Sequence, residues 1–163
     1  PIYSVTISKE DAKNLCKKIH KINVNISISI YTNDEWLVEN KEEYWAAQES
    51  EITGVIPKEV SFDDERVYKE VHKILCMGNK EEIAQLEQQL IKEFPEIRIY
   101  RSKDTYLEIM SMKASSLSDV PVSSMMRLFL ERSTILPLYI STTSLIAERS
   151  SLSALTLRRS SSL

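Results

Sequence analysis

The residues of this chain with obvious chemical potential are few and scattered. Asp63, Asp64 and Glu65 stand in a row inside the loosely patterned stretch ITGVIPKEVSFDDE, and adjacent carboxylates suit a hard divalent cation that takes oxygen ligands. No partner at ligand spacing accompanies them, so the expectation is a solvated charge cluster, and no metal ligand is assigned. His20 closes a helical repeat, where the helix C-terminus favours a cation, and His72 enters an apolar strand; both are expected to be structural. Cys16 and Cys76 lie far apart, each within an apolar periodic segment, which points to buried free thiols rather than a disulfide or a zinc site.

The elements that would carry such residues are clearer than the residues themselves. Ser8 followed by Asp11 is an N-cap arrangement, and Ala12, Leu15, Cys16, Ile19 and Ile22 recur at helical spacing, which predicts a helix over 9–21. In VNISISIY, Val24, Ile26, Ile28 and Ile30 alternate with Asn25, Ser27, Ser29 and Tyr31, the signature of a half-buried strand. Thr32, Asn33 and Asp34 supply a turn, after which Trp36 and Val38 share one strand face and Leu37 takes the other. A weaker helix is predicted over 41–48, with Asn40 as cap and Glu43 in its third position. Residues 73–77 read as a strand. Asn79 and Glu82 then open a helix whose face is Ile83, Leu86, Leu90, Ile91 and Phe94, and Pro95 stops it. Finally EIRIYRSKDTYLEIM reads as a hairpin of two alternating strands joined through Ser102, Lys103 and Asp104. Polar residues at every second strand position predict one wet face, hence an α+β fold: an antiparallel sheet with helices on one face.

Size and charge narrow the field. The 163 residues are 42% hydrophobic and 28% charged, the balance of a soluble globular domain. A formal charge of -3 without a Lys/Arg stripe argues against nucleic acid as a partner. No apolar run reaches the roughly 18–20 residues that span a bilayer, so no membrane partner is expected. The first residues lack the charged and apolar blocks of a signal peptide, and a cytoplasmic location is expected.

Several segments, in order and at their intervals, resemble the cap domain of Cof-type phosphatases of the haloacid dehalogenase superfamily: SIYTNDEWLVEN, ESEITGVIP, KILCMGNKEEIAQLEQQL and above all RSKDTYLEIM. The resemblance covers residues 1–110 and implies a type IIB-like cap that folds over a Rossmann-like core and selects the substrate. It also implies Mg²⁺ and a small phosphorylated metabolite, such as a sugar phosphate, as partner. The catalytic aspartates of that family lie in DxDGT and GDxxND motifs, and neither motif occurs in this chain. No catalytic residue is therefore carried over, and this polypeptide alone is expected to be inactive.

What the cap would contribute is contact. Polar or aromatic residues at strand ends and loops are the natural ones to meet a substrate, which singles out Tyr31, Trp36, Arg101 and Tyr106. Arg101 suits a phosphate or a carboxylate. Against these readings, Trp36 also fits a core position and Arg101 an exposed strand position. Glu108 falls on the wet face, where a salt bridge is expected rather than catalysis. The alternative function is a non-enzymatic α/β module that binds a small ligand or a protein.

After residue 110 the composition changes. Of the 50 residues from 114 to 163, 29 are Ser, Leu or Arg, against 17 of the first 113. These three amino acids have six codons each, so a shifted reading frame from about residues 111–118 accounts for the excess; a natural Ser-rich interaction segment is the other reading. A helix over 120–131 and a strand over 136–141, in keeping with a remnant of the Rossmann-like core, are also legible there. Translating the neighbouring frames of the encoding DNA separates the readings, since only a frameshift would restore GDxxND.

Overall fold

The computed structural model describes residues 5–114. Among them three helices and six strands follow in the order α1 (Lys9–Ile22), β1 (Ser27–Tyr31), β2 (Trp36–Val38), α2 (Tyr44–Thr53), β3 (Lys58–Glu59), β4 (Lys73–Met77), α3 (Lys80–Glu93), β5 (Ile97–Lys103) and β6 (Tyr106–Ser111), with a 3-10 turn at Glu65–Tyr68 before β4. The strands form one sheet in the order β3-β2-β1-β4-β6-β5. All neighbours are antiparallel except β2 and β3 at one edge, which run parallel.

The local signals explain most boundaries. Ser8 caps α1 by accepting from the Asp11 amide. Asn79 and Glu82 form a reciprocal capping box at α3, which satisfies two backbone donors that a helix start leaves open. One face of the sheet packs against α1 and α3: Leu15, Cys16, Ile19, Ile83, Leu86 and Leu90 meet Ile28, Ile30, Leu37, Ile74, Cys76, Leu107 and Ile109. Both thiols are free and buried, and burial pushes Cys16 up to about 12.

Five expectations need correction. The strand expected from Val24 begins at Ser27; Asn23 closes α1 and its side chain accepts from the Asn25 amide, so these residues turn, and Val24 is 79% exposed. The second helix starts later, at Tyr44, because Glu43 rather than Asn40 caps it, accepting from the Trp45 and Ala46 amides. Strand β5 runs on through Lys103, with an irregular register between Arg101 and Lys103, and Ile91 of α3 is exposed. Most consequentially, the second sheet face is not wet. Helix α2 covers part of it, where Ala46 packs with Tyr31, Trp36, Val38, Leu75, Met77 and Tyr106. The α+β layer stands, with its two long helices on one face and α2 on the other. The helix and strand expected over 120–131 and 136–141 lie outside the described residues.

Candidate functional site

Strand register places the side chains of that second face in three rows. Trp36, Tyr31, Lys73, Met110 and Arg98 are successive cross-strand neighbours; Ser29, Leu75, Glu108 and Tyr100 form the next row; Ser27, Met77, Tyr106 and Lys103 the third. Because side chains alternate along a strand, assigning Ile74, Cys76, Leu107 and Ile109 to the helix-packed face sends Lys73 and Glu108 to the opposite one. Both are buried there.

The polar groups are linked to one another. Lys73 Nζ lies 3.7 Å from Glu108 Oε2 and 4.9 Å from the centre of the Tyr31 ring. The Tyr100 hydroxyl donates to the same Glu108 oxygen at 2.8 Å. Tyr106 donates to Glu49 Oε2 of α2 at 2.5 Å, and the Lys103 ammonium sits 3.9 Å above the Tyr106 ring, a cation–π geometry. Tyr31 and Trp36 stack with centroids 6.0 Å apart and planes 11° from parallel.

Electrostatics follow from this packing. Burial works to raise the Glu108 carboxyl, but the Lys73 charge and hydrogen bonds from Tyr100 and Ser102 together outweigh it and hold the group below the usual carboxylate range. Burial, with Glu49 adding to it, raises the Tyr31 and Tyr106 phenols far above neutrality. Burial lowers Lys103, against the pull of Glu49 and Glu108. An array of neutral phenols, a paired carboxylate and cations over aromatic rings can orient a polar ligand, and burial keeps its phenols from acting as phenolates.

Three of the four residues singled out from the sequence, Tyr31, Trp36 and Tyr106, come together here, and all three are buried. Arg101 does not join them: its Nε pairs with Glu87 Oε2 of α3 at 2.9 Å, on the other side of the sheet. Sequence reasoning missed Lys73, Glu49, Tyr100 and Lys103. For Lys73 the signal was available, since it alternates with Leu75 and Met77 against Ile74 and Cys76.

The other candidates resolve into structural roles. Asp64 caps the 3-10 turn and grips Arg66, whose guanidinium holds its carboxyl at about 2. Glu65 binds Lys9 and Lys13. With Asp64 and Glu65 committed to cations, and no group of three His, Cys, Asp or Glu placed to hold an ion among the described residues, the described residues do not fit Mg²⁺. His20 meets Glu39 at 3.2 Å and stacks on Phe62. His72 contacts the Val5 carbonyl and Asn33, and burial lowers its pKa. A groove of about 430 Å³ beside β3 has its charges paired, Lys58 with Glu35 and Arg66 with Asp64.

Comparison with known proteins adds a family. Residues 1–119 match the family model described as haloacid dehalogenase-like hydrolase. A Haemophilus influenzae protein named "Putative phosphatase" is 31% identical over 120 residues, which are 74% of this chain and 44% of that protein. Among solved structures, a Thermotoga maritima protein matches with a TM-score of 0.60 at 22% identity, covering 70% of this chain and 42% of its own. A HAD subclass IIB sugar phosphatase matches with a TM-score of 0.52 at 18% identity, covering 72% and 43%. The two structural likenesses are likenesses of fold. The chain spans less than half the length of each of these relatives.

Proposed function

Since this chain belongs to the haloacid dehalogenase-like hydrolases, we propose that its residues 1–110 are the substrate-selecting cap of a Cof-type phosphatase acting on small phosphomonoesters such as sugar phosphates. The observation that supports this most is the division of labour between the two sheet faces. One is sealed by α1 and α3 with apolar side chains; the other carries Tyr31, Lys73, Tyr100, Tyr106 and Glu108 in register. A cap must hold itself together on one side and meet a polar substrate on the other, and Tyr31, Trp36, Tyr106 and Lys73 are the side chains we assign to that contact. Arg101, paired with Glu87, is assigned to stability.

In such an enzyme an aspartate nucleophile takes the phosphoryl group and Mg²⁺ supplies positive charge to offset that on the transferring oxygens. The contribution we assign to the cap residues is to orient the non-phosphate part of the substrate and to exclude water from it. We assign the reaction to the rest of the enzyme, and residues 111–163 to a segment outside the cap. No helix among the described residues is long and apolar enough to cross a membrane; a cytoplasmic setting belongs to the same proposal.

The experiment is direct. The purified 163-residue chain, supplied with Mg²⁺, is expected to give no turnover of p-nitrophenyl phosphate above buffer. Saturable, Mg²⁺-dependent hydrolysis by this polypeptide would overturn the assignment.

A further inference from the structure

The two faces of the sheet are covered on different terms. Helix α1 buries Ala12, Leu15, Cys16 and Ile19, and α3 buries Ile83, Leu86 and Leu90. Helix α2 buries Ala46, Glu49 and Thr53. The first two helices are held by the removal of branched apolar side chains from water, the dominant attraction in folding. Helix α2 instead lays a methyl group, a carboxylate and a hydroxyl against the sheet, with Trp45 only half-buried against the same cluster. The Thr53 hydroxyl bonds to the Glu49 carbonyl of its own helix at 2.7 Å and so does not tie the helix to the strands. Glu49 is fully buried; one of its oxygens accepts from Tyr106, while Oε1 has no hydrogen-bond partner. A buried carboxylate oxygen left without a donor carries an uncompensated desolvation cost. Docking α2 therefore sets the methyl of Ala46 and the partial burial of Trp45 and Val55 against a polar debit at Glu49, where α1 and α3 bury branched side chains completely and carry no such debit.

The helix is also self-contained. Its N-cap is its own neighbour, Glu43, and at its end the Ser50 hydroxyl donates to the Val55 carbonyl at 2.7 Å. Gly54 closes it in the left-handed region, φ 73°, with nothing within 4 Å of where a Cβ would stand. None of these caps depends on the sheet, so the helix keeps its ends satisfied whether docked or raised. Turn residues flank it on both sides: Asn40, whose side chain accepts from the Glu42 amide, and Gly54. These are the features of a rigid element between two hinges.

We propose that α2 is a hinged cover over part of the polar sheet face, latched by the Tyr106–Glu49 hydrogen bond, and that its lifting is how a small polar ligand reaches Tyr31 and Tyr106. What the opening admits rests on the cap reading; the opening itself does not. Such motion belongs to the low-stability end of a fold, where a segment opens without global unfolding.

Amide hydrogen exchange on the full chain, followed over a series of low urea concentrations, tests it. The α2 amides are expected to exchange through an opening at least tenfold more frequent, and far less urea-dependent, than that of α1 and β4. Tyr106→Phe removes the latch donor and should speed α2 exchange about tenfold further while α1 and β4 keep their rates relative to each other. Glu49→Gln retains an acceptor for Tyr106 and should stay nearer the parent. Identical rates and urea dependence for α2 and α1 in the unsubstituted chain would overturn the proposal, even where the variants do not fold. That outcome would leave the cap reading in place, whereas phosphatase turnover by the chain would remove the cap reading and leave the exchange result standing.

Discussion

Lys73 and Glu108 are charged side chains on strands whose other inward positions are Leu75, Met77, Tyr106 and Met110. Desolvating two charges costs several kcal/mol each, and their mutual attraction offsets this only while both are present. Lys73→Met leaves Glu108 buried without its cation, and the expected loss is roughly 3–5 kcal/mol in urea unfolding. Adding Glu108→Leu to that variant should recover most of the loss, because the pair is then replaced by apolar volume. A single substitution costing under about 1 kcal/mol, the range of an exposed pair, would show that the two side chains are hydrated. Here the sequence was half legible. Alternation gave the face of Glu108 and its ion pair, but not the burial of that face, part of which lies under α2, whose path no strand pattern encodes.

Elements were legible in proportion to their apolar periodicity. Helices α1 and α3 bury branched side chains at three- and four-residue intervals and were readable almost to the residue. Helix α2 buries Ala46, Glu49 and Thr53, a stripe without a hydrophobic signal, and its start was misplaced because a glutamate caps it where Asn40 has the stronger general preference. Strand β3 is two residues long and exposed, too short for any alternation to be seen. The caps give a test at this scale. Asn79→Ala should cost about 1 kcal/mol, since it dismantles a capping box. Asn40→Ala should cost only a few tenths, as that side chain caps no helix. Equal losses from the two, read as urea midpoints, would contradict the assigned start of α2.

At the scale of the molecule, Val5 packs with Met110 and Ala114 while Arg98 donates to the Ala114 carbonyl at 2.8 Å. Residues at the two ends of the described stretch thus lie side by side. The sheet order, with β4 between β1 and β6, brings Tyr31 beside Lys73 and Lys73 beside Glu108 from segments more than 30 residues apart. Pairings of that range are what a single sequence conceals, and they are what assembles the polar face. The most direct measurement exchanges residues 5–114 for the corresponding region of an active subclass IIB sugar phosphatase and compares kcat/KM over a panel of phosphomonoesters. The account predicts retained Mg²⁺-dependent turnover with a changed order of substrate preference. A folded chimera that ranks its substrates as the parent enzyme does would contradict it.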